Sequence, residues 1–355
     1  MEQDFHKQLQ VVVGQTLCAS QTPGATVAMY ADGQILLETG FGYQDLEYKS
    51  LLPSNAKFCI YSVTKSLLAT ASLILVSKGL IALDTPVQKY LPNLTLASKL
   101  TLRQLLSHTS GLPDYGGTTA YINSLQTSPS SPWSEEIFLN FAQKQSLLFA
   151  PGEKWAYSNI GYLLVRLVLE KVTGLSMQRL LSELVFKPLF LQNTSVAIAL
   201  EDTSLLTPGY SSFFSDNQLQ NIIPFYHPGW VAHGVVVSTA SELAKIVDAL
   251  FAGKLLNPLL VKQMTAAPYI LGKHYLFKLL GYGLGLFVDV ESPYGVVSGH
   301  TGEGPGYSVA AFHLANLAGQ RMTLVSFANR DRHDLGLQLI FKIIDTIERF
   351  AVSHH

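Results

Sequence analysis

A chain of 355 residues, 48% hydrophobic and 14% charged, holds enough apolar material for a large core, in one big domain or two interleaved ones. Its 24 Lys and Arg balance 25 Asp and Glu, and no basic run suggests a surface for nucleic acid or anionic membrane. The longest strongly apolar run, Leu67 to Val76, is too short to span a bilayer.

Met1-Glu2-Gln3-Asp4 has neither a basic n-region nor an apolar h-region, so no signal peptide is expected. The protein is then cytoplasmic, or exported if a leader has been removed. Phe5 to Ala19 has apolar residues at helical spacing. Gly24 to Tyr30 and Gln34 to Gly42 are β-prone runs around Asp32-Gly33, a strong hairpin signal. Cys18 and Cys59 stand far apart in apolar settings and read as buried free thiols, with a disulfide between them as the alternative.

Phe58 to Tyr61 ends a β-prone run, and an apolar helix begins at Ser62 and stops at Lys78-Gly79. Ser62 and Lys65 are three apart, so one helical turn brings both side chains to one face. An amine beside a serine over a helix N-terminus is a way to activate a weak nucleophile without histidine. The competing reading of Ser62 is a helix N-cap. Ser54-Asn55-Ala56-Lys57 has the same Ser-x-x-Lys spacing, but there an extended segment would point the two side chains to opposite faces.

A short helix is expected before Pro92. The next helix opens on Thr101, with Gln104 in the capping-box position. Residues 113–132, rich in Gly, Ser, Thr and Pro, read as a loop or lid. Helical pattern resumes at Ser134. Pro151-Gly152-Glu153 is a turn. It leads to Tyr157-Ser158-Asn159 and then to an apolar helix, Ile160 to Val172, ending at Gly174. Tyr157 beside a lysine ammonium would lose its proton more easily, and Asn159 offers an amide to a substrate. The alternatives are a core tyrosine and a capping asparagine, and Tyr121-Ile122-Asn123 shares the tripeptide pattern.

A helix covers Met177 to Leu184, 202–228 has few regular signals, and Ser238 or Thr239 caps a helix running to Phe251. From Tyr282 the texture turns to β. Gly283 to Val290, Gly295 to Ser298, Tyr307 to Leu314 and Arg321 to Ala328 are strands, and Leu335 to Phe350 is a closing helix. Ser298-Gly299-His300-Thr301-Gly302-Glu303-Gly304-Pro305-Gly306 ends one strand and turns into the next. Its glycines let backbone approach a ligand. The amides of Ser62 and Glu303 are candidates for an oxyanion hole, and the strand edge for an extended substrate. The bland reading is a flexible hairpin with His300 a surface imidazole. His354-His355 is set aside as a possible tag remnant.

The fold class is therefore α/β. An antiparallel sheet is flanked by the N- and C-terminal helices in a domain built from both chain ends, 1–65 plus 235–353. A mainly helical domain, 66–234, is inserted between them, with the active site in the cleft.

Ser-x-x-Lys, Tyr-x-Asn and His-Thr-Gly in this order, each at an element boundary, resemble the serine β-lactamase-like family. That family includes class C β-lactamases, D-alanyl-D-alanine carboxypeptidases and related esterases. Leu105 to Leu112, Pro151 to Leu164, Gly234 to Ala240 and Tyr282 to Gly285 add to the likeness. The resemblance implies a β-lactamase/transpeptidase-like fold, an acyl-enzyme at Ser62, and Lys65 and Tyr157 as the proton-handling pair, without saying which is the base. It also implies substrate contacts from Asn159, His300, Thr301, Gly302 and Glu303. Trp230 is read either as an aromatic wall of the cleft or as a core residue.

Class C enzymes usually have lysine where His300 stands, so the third motif looks more like the carboxypeptidase branch. Yet Leu286-Phe287-Val288-Asp289-Val290 offers no cation for a terminal carboxylate, which favours an esterase or amidase. His300, with an ordinary pKa of about 6.5, is expected to gain charge on acidification and then to favour free-carboxylate substrates. The implied protein is a monomer acting on a small-molecule or peptide substrate, with no metal and no cofactor. His227, His233, His300 and His313 show no metal-ligand spacing, and no Gly-x-Ser-x-Gly is present. The alternative function is a penicillin-recognising sensor that acylates once or only binds.

Overall fold

The computed structural model describes residues 2–215 and 218–353; His354-His355 lies outside them. The helices are α1 (Glu2–Ser20), α2 (Thr64–Ser77), α3 (Leu102–Leu106), α4 (Thr119–Thr127), α5 (Glu135–Gln143), α6 (Asn159–Thr173), α7 (Met177–Leu181), α8 (Ala240–Phe251), α9 (Pro258–Thr265) and α10 (Leu335–Ser353). The strands are β1 (Gly24–Ala31), β2 (Gln34–Gly42), β3 (Phe58–Cys59), β4 (Ser195–Ala197), β5 (Tyr210–Ser211), β6 (Gln220–Asn221), β7 (Val235–Ser238), β8 (Tyr269–Gly272), β9 (Leu280–Tyr282), β10 (Phe287–Asp289), β11 (Val297–Gly304), β12 (Tyr307–Leu317) and β13 (Gln320–Ala328).

Local chemistry accounts for many boundaries. Asp32 and Gly33 both take positive φ, 48° and 81°, the geometry of a tight primed hairpin turn. Thr101 and Gln104 form the expected capping box. Thr239 caps α8 and a left-handed Gly174 ends α6.

Eight strands form one sheet in the order β2-β1-β13-β12-β11-β10-β9-β8. All of its pairings are antiparallel. Alternation along each strand divides the core. Val27, Met29, Ala310 and Phe312 pack with α1 and α10 on one face, while Ala28, Val309 and Ala311 join the larger core of the helical region on the other. This is the α/β architecture expected, an antiparallel sheet with both terminal helices, which here share one face of it.

Four expectations need correction. Residues 113–132 contain α4, capped by Thr118. The run 283–290 is not one strand. Gly285 takes φ 76° and turns the chain between β9 and β10, where a Cβ would meet Ala69 of α2 at 2.5 Å. The turn after the third motif is Pro305-Gly306, so Ser298 to Gly304 lies wholly within β11. Cys59 is buried, but Cys18 is exposed on α1.

The small sheet β3-β7-β4 positions the first motif. Ile60 N donates to Val236 O at 2.8 Å, and Val236 N donates to Thr64 Oγ1 at 3.0 Å. β7 therefore grips the chain on both sides of Ser62. Among the described residues no helix is long and apolar enough to cross a membrane.

Candidate active site

Ser62 lies on a 3₁₀ turn, Tyr61–Val63, and not on the α-helix itself. α2 starts at Thr64 with no side-chain cap, so the N-cap reading of Ser62 does not hold. Tyr61 has φ 41° and its hydroxyl donates to Pro305 O, which ties the turn to the β11–β12 hairpin. β11 crosses this turn at backbone contact. A Cβ on Gly302 would sit 2.2 Å from Ile60 O, and one on Gly304 2.4 Å from the Tyr61 ring. Glycine is required at both positions by that approach. Ser54, of the competing tetrad, lies in a turn before β3.

Lys65 is fully buried. Its Nζ stands 2.8 Å from Ser62 Oγ, 2.8 Å from Asn159 Oδ1 and 3.3 Å from His233 Nε2. Burial holds its pKa well below the ordinary lysine value, opposed by the charge of Asp114. Nζ also stands 4.9 Å from the centroid of the Tyr157 ring. Tyr157 hydrogen-bonds Ser62, but burial outweighs that bond and raises the phenol pKa. The expectation that the lysine would ease deprotonation of Tyr157 is thus reversed, because desolvation of a phenolate dominates.

Asn159 is the first residue of α6, and Ser158, not Asn159, is the cap. Asp114 accepts from Asn159 N at 2.9 Å and from Nδ2 at 3.0 Å, which turns Oδ1 toward Lys65. His108 holds the other side. Its Nδ1 accepts from Ser158 N at 3.1 Å, its carbonyl accepts from Ala156 N at 3.0 Å, and its ring packs 4.2 Å from that of Tyr157.

In β11, His300 is 1% exposed, not a surface imidazole. Its Nε2 is 3.0 Å from the Tyr282 hydroxyl and its Nδ1 contacts Thr301 O. Burial and then Lys65 push its pKa down to about 3. A pKa that low sets His300 against the expected gain of charge on mild acidification.

By strand alternation Gly302 shares the face of His300, while Thr301 and Glu303 point to the other face. The Glu303 carboxylate accepts from Asp334 N at 2.6 Å and contacts His333. In the two-residue hairpin at Pro305-Gly306, Gly304 and Tyr307 exchange hydrogen bonds. The Glu303 and Thr301 amides then face the opposite edge of β11. β10 stops pairing at Gly299, so that edge is not covered by β10 beside Ser62.

Trp230 has no exposure. It packs against Tyr121 and Trp133 and donates from Nε1 to Pro129 O at 2.9 Å, so it is a core residue and forms no wall of the cleft.

The structure thus brings Ser62, Lys65, Tyr157, Asn159 and the backbone of Gly302 and Glu303 together. Asp114, His108 and His233 complete the set. Asp114 carried no sequence signal, since 45 positions separate it from Asn159. His108 sits in a family-like stretch, and His233 was one of four scattered histidines.

Residues 5–339 match the family described as Beta-lactamase. The chain belongs to that family. Among relatives, it is similar to Penicillin-binding protein 4* of Bacillus subtilis (strain 168), 26% identical over 357 residues, 98% of this chain and 77% of that protein. Among solved structures, a D-stereospecific amidohydrolase from Streptomyces sp. superposes with a TM-score of 0.76 at 25% identity, covering 94% of this chain and 97% of that one. D-amino acid amidase from Ochrobactrum anthropi SV3 has the same fold, with a TM-score of 0.81 at 23% identity over 98% of this chain and 99% of that one.

Proposed function

We propose that this beta-lactamase family member is a serine hydrolase that cleaves a neutral amide or ester through an acyl-enzyme on Ser62. The observation that carries the reading is the 2.8 Å contact between Ser62 Oγ and a fully buried Lys65 whose surroundings favour the neutral amine. Lys65 takes the Ser62 proton as Oγ bonds the substrate carbonyl carbon. Tyr157, kept a phenol by burial, gives its proton to the leaving nitrogen or oxygen as that bond breaks, and regains one from Lys65. Water then repeats the sequence on the acyl-enzyme and frees Ser62. The amides of Ser62 and Glu303 serve the developing oxyanion. The open edge of β11 takes the acyl group as an added strand.

The charge of the site supports a neutral substrate. A buried carboxylate is costly without a cation or several hydrogen bonds, and His300 supplies no charge. The likeness to a D-stereospecific amidohydrolase and to Penicillin-binding protein 4* suggests amides of D-amino acids or D-alanyl peptides as the first substrates to try.

Intact-mass spectrometry over time tests the reading, using D-amino acid amides, D-alanyl peptides, β-lactams and short-chain aryl esters. A transient single adduct with product release is expected for at least one class. An adduct that never decays would make the protein a single-turnover sensor instead.

Two further outcomes follow here. Tyr157→Phe keeps the ring and loses the proton, so kcat should fall by about 10²-fold or more. Near-normal turnover would leave Tyr157 with only a packing role. The kcat/KM ratio of an acyl-D-alanyl-D-alanine acid to its methyl ester should be flat from pH 5.5 to 8, because His300 titrates far below that window. A ratio that climbs on acidification and flattens in His300→Gln would show that His300 does gain charge.

A further inference from the structure

His233 is the neighbour of Lys65 that the serine–lysine–tyrosine chemistry leaves unused. It stands just before β7 and is 1% exposed. Its Nε2 lies 3.3 Å from Lys65 Nζ, beside Ser62 Oγ and Asn159 Oδ1. An amine nitrogen has three directions besides its own carbon, and three polar atoms stand within 3.3 Å of this one. A neutral amine fills the three with two N–H bonds and one lone pair, an ammonium with three N–H bonds.

We propose that His233 is a positioning residue: its Nε2 accepts one N–H of Lys65, Asn159 Oδ1 accepts the other, and the lone pair is left facing Ser62. The proposal rests on the serine hydrolase reading above. In the resting enzyme the lone pair then meets the Ser62 hydroxyl. Once Lys65 has taken that proton, all three of its N–H bonds need acceptors, and Nε2 is already one. A ring protonated at Nε2 would oppose the ammonium with a donor. Only the tautomer with its hydrogen on Nδ1 serves both states of the amine.

The other ring nitrogen makes no competing bond. His233 Nδ1 is buried with no hydrogen-bond partner among the described residues. Orphaned buried polar groups are rare and call for a reason. Here the ring gives up a partner at Nδ1 to keep Nε2 on Lys65. The groups around the ring hold it neutral, and a protonated imidazole could accept nothing. Burial is the largest cause, followed by Lys65 on α2, Arg166 on α6, His300 on β11 and His108. Arg166 is itself paired with Glu135 and Glu170. The Tyr162 ring meets the imidazole edge-on, with centroids 6.4 Å apart.

The test compares acylation of Ser62 by a fluorophosphonate probe, and hydrolysis of an aryl ester, in wild type, His233→Leu and His233→Gln. Leucine keeps bulk without an acceptor. Acylation and kcat should fall roughly 10²-fold, the scale of a small misplacement of reacting groups, with KM little changed. Glutamine can place Oε1 where Nε2 was and should recover most of the loss. The ¹⁵N-histidine NMR spectrum of the wild type, with the His233 signals assigned from their absence in His233→Gln, should show Nε2 without a proton.

A wild type that labels at Ser62 while His233→Leu labels as fast overturns the His233 proposal alone. An Nε2-protonated tautomer in the wild type does the same, and decides the matter if the leucine variant fails to fold. A wild type that neither labels nor hydrolyses any substrate overturns the hydrolase reading, and this proposal with it.

Discussion

Ser62→Ala should abolish adduct formation with fluorophosphonate or β-lactam probes and lower turnover on the order of 10⁴-fold or more, the scale for removing a nucleophile. The expectation rests on placement. Ser62 is held on a turn between β3 and α2, with Val236 bonded on both sides of it and Tyr61 pinned to the β11–β12 hairpin. Its Oγ is spent on no cap and faces Lys65. Alanine removes one oxygen from a partly exposed position, so the fold should survive and the loss should be chemical. Peptide mapping of labelled wild type should find the adduct on the peptide that contains Ser62. An adduct on Ser54, or undiminished hydrolysis by Ser62→Ala, would move the chemistry elsewhere.

Lys65→Met should be nearly as damaging, about 10³-fold or more in kcat/KM. Methionine fills the apolar part of the buried space and removes the proposed base. The wild-type pH profile carries a second expectation. A base acts when deprotonated, so activity should rise with pH through the pKa of Lys65 in the folded protein. Burial sets that pKa well below the ordinary lysine value, and Asp114 pulls it partly back up. The acid limb should therefore lie well below the pH at which an exposed lysine titrates. In Asp114→Asn, with the charge gone, its midpoint should move lower still. The midpoint is the readout, because the variant also weakens the Asp114–Asn159 bonds and so lowers the amplitude. An unmoved midpoint in Asp114→Asn, or an acid limb near the ordinary lysine range, would mean that Lys65 is not the base. Tyr157 would then take that role.

Local sequence determined much of the frame. Asp32-Gly33, the Thr101/Gln104 box, Thr239 and Gly174 act within a few residues, through backbone geometry and hydrogen bonds that neighbours in sequence must make. The pairing of Ser62 with Lys65 is local too, since one turn of chain brings them together. The three ordered motifs pointed to the remaining chemistry because each stood at an element boundary. What only the tertiary structure decided is protonation and burial. Desolvation depends on every segment that closes over a group, and those segments are far apart in sequence. Hence His300 is buried with its pKa pushed down, the Tyr157 phenol pKa is pushed up, and Trp230 is a core residue. Asp114 and His233 reach Asn159 and Lys65 across 45 and 168 positions, a meeting that no spacing rule describes. The motifs name the candidate atoms, but long-range packing sets the cost of charge on each, because desolvation depends on the whole fold.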